Sequence, residues 1–538
     1  MIVYRQLARV SRFFSLTLVS SLFILPLYGA DGPQKPDSRE VARRVDQTIH
    51  RMLARKTALP RPAGDEAFIR RLSLDLTGKL PSPEEERAFV ASNDAAKRQK
   101  LIDRYLAGEA YAVNWARYWR DVVTYHTPAS GNYLRWPLFD RWLIEQVRKN
   151  RSWGEIVTAM VTATGINDEC APVNYLTAQF GNPVEIAATT SRVFLGVQIQ
   201  CAQCHDAKTE KWKRKQFHEF VAFFGRAKVI QHKDVLGRGT PYAIEGREEG
   251  QYYMTDKKNP RRLIAMQPRF LTGEAVSLEA GDTDRRAALA RFLTGPKNPW
   301  FARAYVNRMW SSLMGWGFYP GVNDLGSGTE PLYPEVLDLL AREWTASGYD
   351  MKWLFRTVAL THVYQSHFQP RPRSESSVVV AVCPSRLRPE QIFEAMVLAL
   401  GFNENDKMIP APAPSSAPAV SRHTGLRNMI YQAFKIDPSL PQEEVHGTMP
   451  QALLMMNSVL VNTYIKSTGK TYLARALEKG LPDDAIVTAL YERTLARKPK
   501  AREMEICRRF LKKVGNRREA LEDIYWSLVN STEFLMKH

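Results

Sequence analysis

Apolar residues recur at three- and four-residue steps through most of the chain, the period of an amphipathic helix. Ser38 to about Arg55 reads as such a helix. Asp65 can cap another that sets Phe68, Ile69, Leu72 and Leu76 on one face, and Gly78 supplies its stop. Ser82, Pro83 and Glu85 form a capping box with proline at the first helical position, so a new helix begins there. Helical patterns follow at 97–106, 111–123, 138–149 and 153–164. Between about 227 and 280 the pattern shortens to β-prone pieces, at 229–231, 242–244, 251–255 and 263–266, broken by glycine and Asp-Lys turns. Helical periodicity returns at Thr283, as from Pro334 through Leu337, Leu340, Ala341 and Trp344 to Gly348, and the last pattern spans 518–535. Residues 409–420, IPAPAPSSAPAV, are a low-complexity loop.

This punctuation predicts a mainly α protein, two helical domains with a small β-rich insertion between them. The expected divisions are a leader at 1–30, a tether and leading helix at 31–64, helical domains at 65–226 and 281–538, and the β-rich module at 227–280.

The first thirty residues change the picture. Arg5, Arg9 and Arg12 precede a stretch from Phe13 to Leu27 without a charge, the layout of a secretory signal. Cleavage after Ala30 would place bulky Tyr28 at minus three, so an uncleaved N-terminal anchor is the alternative. Either way the arginines stay inside, and the rest is expected in the periplasm or cell envelope. Of the later apolar runs, such as Val378 to Cys383, none is long enough to cross a bilayer.

The 538 residues carry a formal net charge of +19, compatible with an acidic redox partner, an anionic envelope polymer or nucleic acid. Export excludes the last. The excess is scattered, at Arg70, Arg71, Arg285, Arg286, Lys512, Lys513, Arg517 and Arg518, which predicts solvated helix faces.

Of the five cysteines, only Cys201 and Cys204 are close, in Cys201-Ala202-Gln203-Cys204-His205. C-x-x-C-H is the pattern of covalent haem attachment, and chance placement would yield on the order of 0.001 such strings in this composition. A helix opened by Pro183 is expected to lead through Ala187, Ser191, Phe194 and Val197 to the two cysteines, one turn apart. Two thiols so spaced can bond two vinyl groups, with His205 as proximal iron ligand. Two other readings stand beside haem c: a disulfide in an oxidising compartment, or part of another metal site. Downstream, Trp212, Phe217, Phe220 and Phe224 make an aromatic stripe interleaved with Lys211, Lys213, Arg214 and Lys215, either ordinary core or a porphyrin wall.

Other enzyme signatures fail. The run Ser467 to Thr471 lacks the earlier glycine of a phosphate-binding loop, since Tyr464 stands there. His218-Glu219 lacks the second histidine of a zinc protease, since Ala222 occupies its place. Asp121, Asp206 and Asp324 are carboxylates that the sequence alone does not pair.

The string from Phe68 to Gly78, followed by Leu80-Pro81-Ser82-Pro83-Glu84-Glu85, resembles the start of the planctomycete cytochrome-C-like domain. Residues 101–106, Trp115 to Asp121 and Phe194 to Asp206 extend the likeness. The later chain resembles the planctomycete-specific domain of unknown function that follows it, through Val306-Asn307-Arg308-Met309-Trp310, Gly315, Gly317, Asn323-Asp324, Gln451-Ala452-Leu453 and Arg497-Lys498-Pro499. The resemblance implies an exported, cytochrome-like protein, in a group often encoded beside sulfatase-like exported proteins. Many members carry a separate cytochrome c module upstream, for which residues 31–60 leave no room. The family usually continues C-x-x-C-H as Asp-His, whereas here Asp206 precedes Ala207.

The expected function is therefore c-type haem binding and electron transfer by Cys201, Cys204 and His205 with an exported redox partner. The rival is a non-haem envelope binding or assembly protein with a structural disulfide, acting with sulfatase-like or polysaccharide-processing partners, and a third reading, resting on charge and the family's company, is a hydrolase or binding factor for anionic polysaccharide.

Overall fold

The helix Asp65–Thr77 is buried from Phe68 through Leu76, polar positions included. It is thus a central element rather than an amphipathic surface helix. The computed structural model describes residues 35–53, 60–125, 127, 134–207, 211–233, 239–326, 328–370, 381–402, 422–442 and 445–537. The leader at 1–30 and the low-complexity loop at 409–420 lie outside these residues.

The protein is mainly α, with sheets of two or three short strands. Sequence punctuation sets many of the helix limits. Ser82 accepts a hydrogen bond from the Glu85 amide with Pro83 in the first turn. Gly78 ends the central helix at φ 72°. That helix is capped one residue earlier than expected, by Gly64 rather than Asp65. Asp65 instead binds Arg98 and Lys97, with the Arg98 Nη2 3.0 Å away and the Lys97 Nζ 2.8 Å away.

The β-prone pieces form strands. Ala227–Gln231 pairs antiparallel with Tyr242–Gly246, and Tyr253–Thr255 with Leu263–Ala265. Gly165–Ile166, which the pattern does not mark as a strand, adds a third strand beside Tyr242–Gly246. Ser385–Arg386 pairs with Met536–Lys537 in the same unannounced way. Both are two-residue strands, too short to show alternation.

From Pro36 onward the chain makes one compact unit with two hydrophobic cores. The first runs from Val41 to Cys383 and so spans the β-rich segment. The second gathers residues from Leu387 to Phe534 together with Leu74 and Leu80. The central helix serves both, because Leu74 points into the second while Phe68, Ile69, Leu72 and Leu76 enter the first.

The arginines correct the expectation of solvated faces. Lys512, Lys513, Arg517 and Arg518 are exposed, but Arg70, Arg71, Arg285 and Arg286 are fully buried. Each reaches backbone carbonyls distant in the sequence: Arg70 binds Glu533 and Met536, Arg71 binds Tyr364 and Ser366, and Arg285 binds Ala222 as well as the nearby Ala280 and Leu278. Arg286 pairs with Asp282 and also binds the Val161 and Ala163 carbonyls. A guanidinium with five donors can satisfy several carbonyls left over at helix ends, which offsets its desolvation.

Candidate functional site

Asn182 caps the helix Pro183–Thr190, accepting from the Val184 amide at 3.0 Å. This helix does not continue to the cysteines. It widens into a π turn at Ser191–Leu195 and stops at Gly196, whose φ is 63°. A Cβ at Gly196 would lie 2.9 Å from the Leu325 side chain and 3.2 Å from the Val322 carbonyl, so glycine is required twice over, by conformation and by space.

After this stop the chain is braced by the later motif segment. The Leu325 amide donates to the Gly196 carbonyl at 3.0 Å, Val197 bridges to Asp324, and the Gln198 Nε2 donates to the Asp324 Oδ1 at 3.3 Å. Arg308 holds Asn323 at 2.8 Å, and Asn307 accepts from the Phe318 and Tyr319 amides. Asn307-Arg308 and Asn323-Asp324 thus fix the approach to the cysteines.

Ile199–Ala202 then forms a 3₁₀ turn that buries Ile199 and Ala202 and leaves Cys201 outside. Cys201, Cys204 and His205 are all exposed, and both thiols are free. The expected helical staircase to the cysteines is therefore replaced by a tight loop anchored through the residues between them. The ring of His205 places Nδ1 2.8 Å from the Asp206 carbonyl. A carbonyl only accepts, so Nδ1 carries a proton, and in the neutral imidazole the lone pair is then on Nε2.

The loop is closed from below by residues the sequence did not single out for it. The Asp206 Oδ1 accepts from the Arg214 amide at 2.9 Å, at the start of the helix Arg214–Val221, and the Ala207 amide donates to the Trp212 carbonyl. His218 is buried in that helix, with Nε2 3.1 Å from the carbonyl of Gln203 and Nδ1 2.8 Å from the Tyr252 hydroxyl. Burial pushes its pKa below the ordinary imidazole value, against the opposing pull of the Gln203 carbonyl. His218 is thus a neutral staple from core to loop.

The aromatic stripe is core. Phe217, Phe220 and Phe224 are fully buried and Trp212 nearly so, while Lys211, Lys213 and Lys215 point outward. It leaves no open face to wall a porphyrin. Among the described residues no cluster of three or more His, Cys, Asp or Glu is arranged to hold a metal ion.

The donor set fits covalent haem attachment: two free, accessible thiols and an imidazole with its Nδ1 hydrogen bonded to a backbone carbonyl.

Residues 44–229 match the PSCyt2 family, described as a protein of unknown function (DUF1549). Residues 285–511 match the PSD1 family, described as a protein of unknown function (DUF1553). No curated protein and no solved structure matches the chain. The two matched regions follow one another across most of the sequence and meet in the fold where Asp324 and Leu325 brace Gly196, Val197 and Gln198. The chain belongs to the planctomycete cytochrome-C-like family in which a PSCyt2 domain is followed by PSD1.

Proposed function

We propose that this is an exported cytochrome-like protein that carries haem c on the loop 201–205 and exchanges electrons with a partner in the cell envelope. The observation that supports this most directly is the state of His205, whose Nδ1 is hydrogen bonded to Asp206 beside two free, exposed thiols. Bound haem would supply one-electron redox chemistry. Cys201 and Cys204 are accessible for thioether formation, and His205 is oriented with its Nε2 lone pair free for iron. Asp206, His218 and Asp324 hold the loop in shape from three sides. The arginine-flanked segment at 1–30 would deliver this loop to the compartment where haem c is attached.

Protein exported together with cytochrome c maturation machinery should show a reduced α band and haem staining that survives denaturing electrophoresis. Replacing Cys201 and Cys204 with serine should abolish both. A colourless, normally folded wild-type protein from that host overturns the reading.

A further inference from the structure

A cavity of about 90 Å³ lies between the two hydrophobic cores, away from the cysteine loop. One water needs roughly 10–15 Å³ of such volume, so the space holds about six waters or one small ring. Its walls come from both matched regions, with Trp115, Tyr118 and Asp121 on one side and Arg386, Arg388 and Tyr431 on the other.

The charges on these walls are unevenly compensated. Lys537 is neutralised by Asp75 at 2.8 Å, and Asp121 by Arg120 at 2.7 Å. The two arginines are not neutralised in this way. The Arg388 guanidinium lies over the rings of Trp115 and Tyr118, and its side-chain hydrogen-bond partner is the neutral Asn114 amide oxygen. Arg386 packs over Phe434, and its Nε is buried without an acceptor. Neither forms an ion pair with a carboxylate among the described residues. Burial lowers the pKa of each.

The spacing explains why they act together. The strand Ser385–Arg386 leads into the helix Pro389–Leu400, capped by Arg388; Leu387 between them enters the second core, while Arg386 and Arg388 on either side of it both line the cavity. The indole Nε1 of Trp115 is a further buried donor without a partner on this wall. Two buried donors without an acceptor, the Arg386 Nε and the Trp115 Nε1, and the Arg388 guanidinium with only an uncharged side-chain acceptor line one space, while Asp121 and Asp437 offer acceptors on its wall. A carboxylate satisfies a guanidinium with two parallel hydrogen bonds, and hydroxyl groups satisfy carboxylate acceptors. The volume exceeds what a simple ion fills.

We propose that this cavity binds a small polyhydroxylated carboxylate, one uronic acid in size, with its carboxylate on Arg386 and Arg388 and its hydroxyl groups toward Asp121. The ligand could be a free sugar acid or the end of an acidic polysaccharide, which share this chemistry. The site is independent of the haem reading, because none of Cys201, Cys204 or His205 lines it.

Isothermal titration of the full chain with D-glucuronate, D-glucose, inorganic sulfate and a glucuronate-terminated oligosaccharide tests this. Glucuronate should bind at least about tenfold more tightly than glucose or sulfate, the loss expected when a charge-assisted pair or the hydroxyl contacts are missing. Arg386→Gln and Arg388→Gln should each weaken glucuronate by about tenfold or more. Circular dichroism identifies a variant that fails to fold, and Arg386, at the cavity edge, then carries the test. Tighter binding of the oligosaccharide assigns a polymer end, and equal binding assigns the free acid. Absence of glucuronate binding, or glucose or sulfate binding as tightly as glucuronate, overturns the proposal. Serine variants of Cys201 and Cys204 should bind glucuronate normally, so this test and that of haem attachment fail separately.

Discussion

The Nε2 of His218 lies 3.1 Å from the carbonyl of Gln203, the residue directly before Cys204. A buried imidazole therefore fixes the backbone of an exposed loop. The carbonyl can only accept, so Nε2 carries a proton; burial favours the neutral imidazole, in which Nδ1 accepts from the Tyr252 hydroxyl. Replacing His218 with leucine should cost about 1–3 kcal/mol through two unsatisfied partners. Proteolysis between residues 198 and 213 should quicken in that variant with the rest of the chain intact.

The same contact carries a pH dependence. The folded state holds the His218 pKa below its unfolded value, so its stabilisation is present above about pH 6.5 and is lost as pH falls through the lowered value. Reactivity of Cys204 toward a thiol reagent, corrected for the thiolate fraction, should rise in acid in the haem-free protein and stay level in His218→Leu.

Glu86 gives the opposite sign. It is buried in the helix Pro83–Ala91, where desolvation and then repulsion from Glu492 and Glu66 lift its carboxyl to about 7. A raised carboxyl contributes its stability fully below the unfolded value near 4.3 and loses it as pH rises through about 7. Glu86→Gln should be nearly neutral in urea unfolding at about pH 5 and stabilising by about 2–3 kcal/mol at about pH 8.5.

Asp75 and Lys537 form an ion pair out of solvent, with the Lys537 Nζ also donating to the Ser312 and Leu313 carbonyls and the Tyr364 hydroxyl donating to Asp75. Desolvation drives the Asp75 pKa up and the Lys537 pKa down, so each charge depends on its partner. Lys537→Met should destabilise by about 3–5 kcal/mol, because it strands a buried carboxylate. Adding Asp75→Asn should recover part of that loss, which a double-mutant cycle by chemical denaturation measures.

Thiol labelling separates the readings of the cysteine pair. In haem-loaded protein, denatured but unreduced, Cys201 and Cys204 should resist labelling and continue to resist after reductant, because a thioether is not reduced by thiols. A disulfide would instead release both on reduction.

Local rules were legible wherever the chain reports its own surroundings. Ser82 with Glu85, Gly78 as a stop, and the strand pieces from 229 to 266 all follow from spacing and turn chemistry. The cysteine loop was legible as chemistry but not as shape. The left-handed stop at Gly196 depends on how closely Leu325 and Val322 approach, and those residues lie well over a hundred positions away. The buried arginines escaped for the same reason. Arg70 and Arg71 look like surface charge until the carbonyls of Glu533, Met536, Tyr364 and Ser366 arrive to meet them. Arg386 and Arg388 form a pair only because the turn from strand into helix buries Leu387 and leaves both beside one cavity.

The pairing of Asp75 with Lys537 spans 462 positions, so the central helix waits for a residue made much later before its charge is balanced. Arg70 waits likewise, for the carbonyls of Glu533 and Met536. Closing such long loops must precede the contacts that reward it, which makes assembly slow and leaves apolar helices uncovered in the interval. The chain cannot complete its fold piece by piece as it emerges. Its two cores should become fully protected only when the strand Met536–Lys537 docks beside Ser385–Arg386.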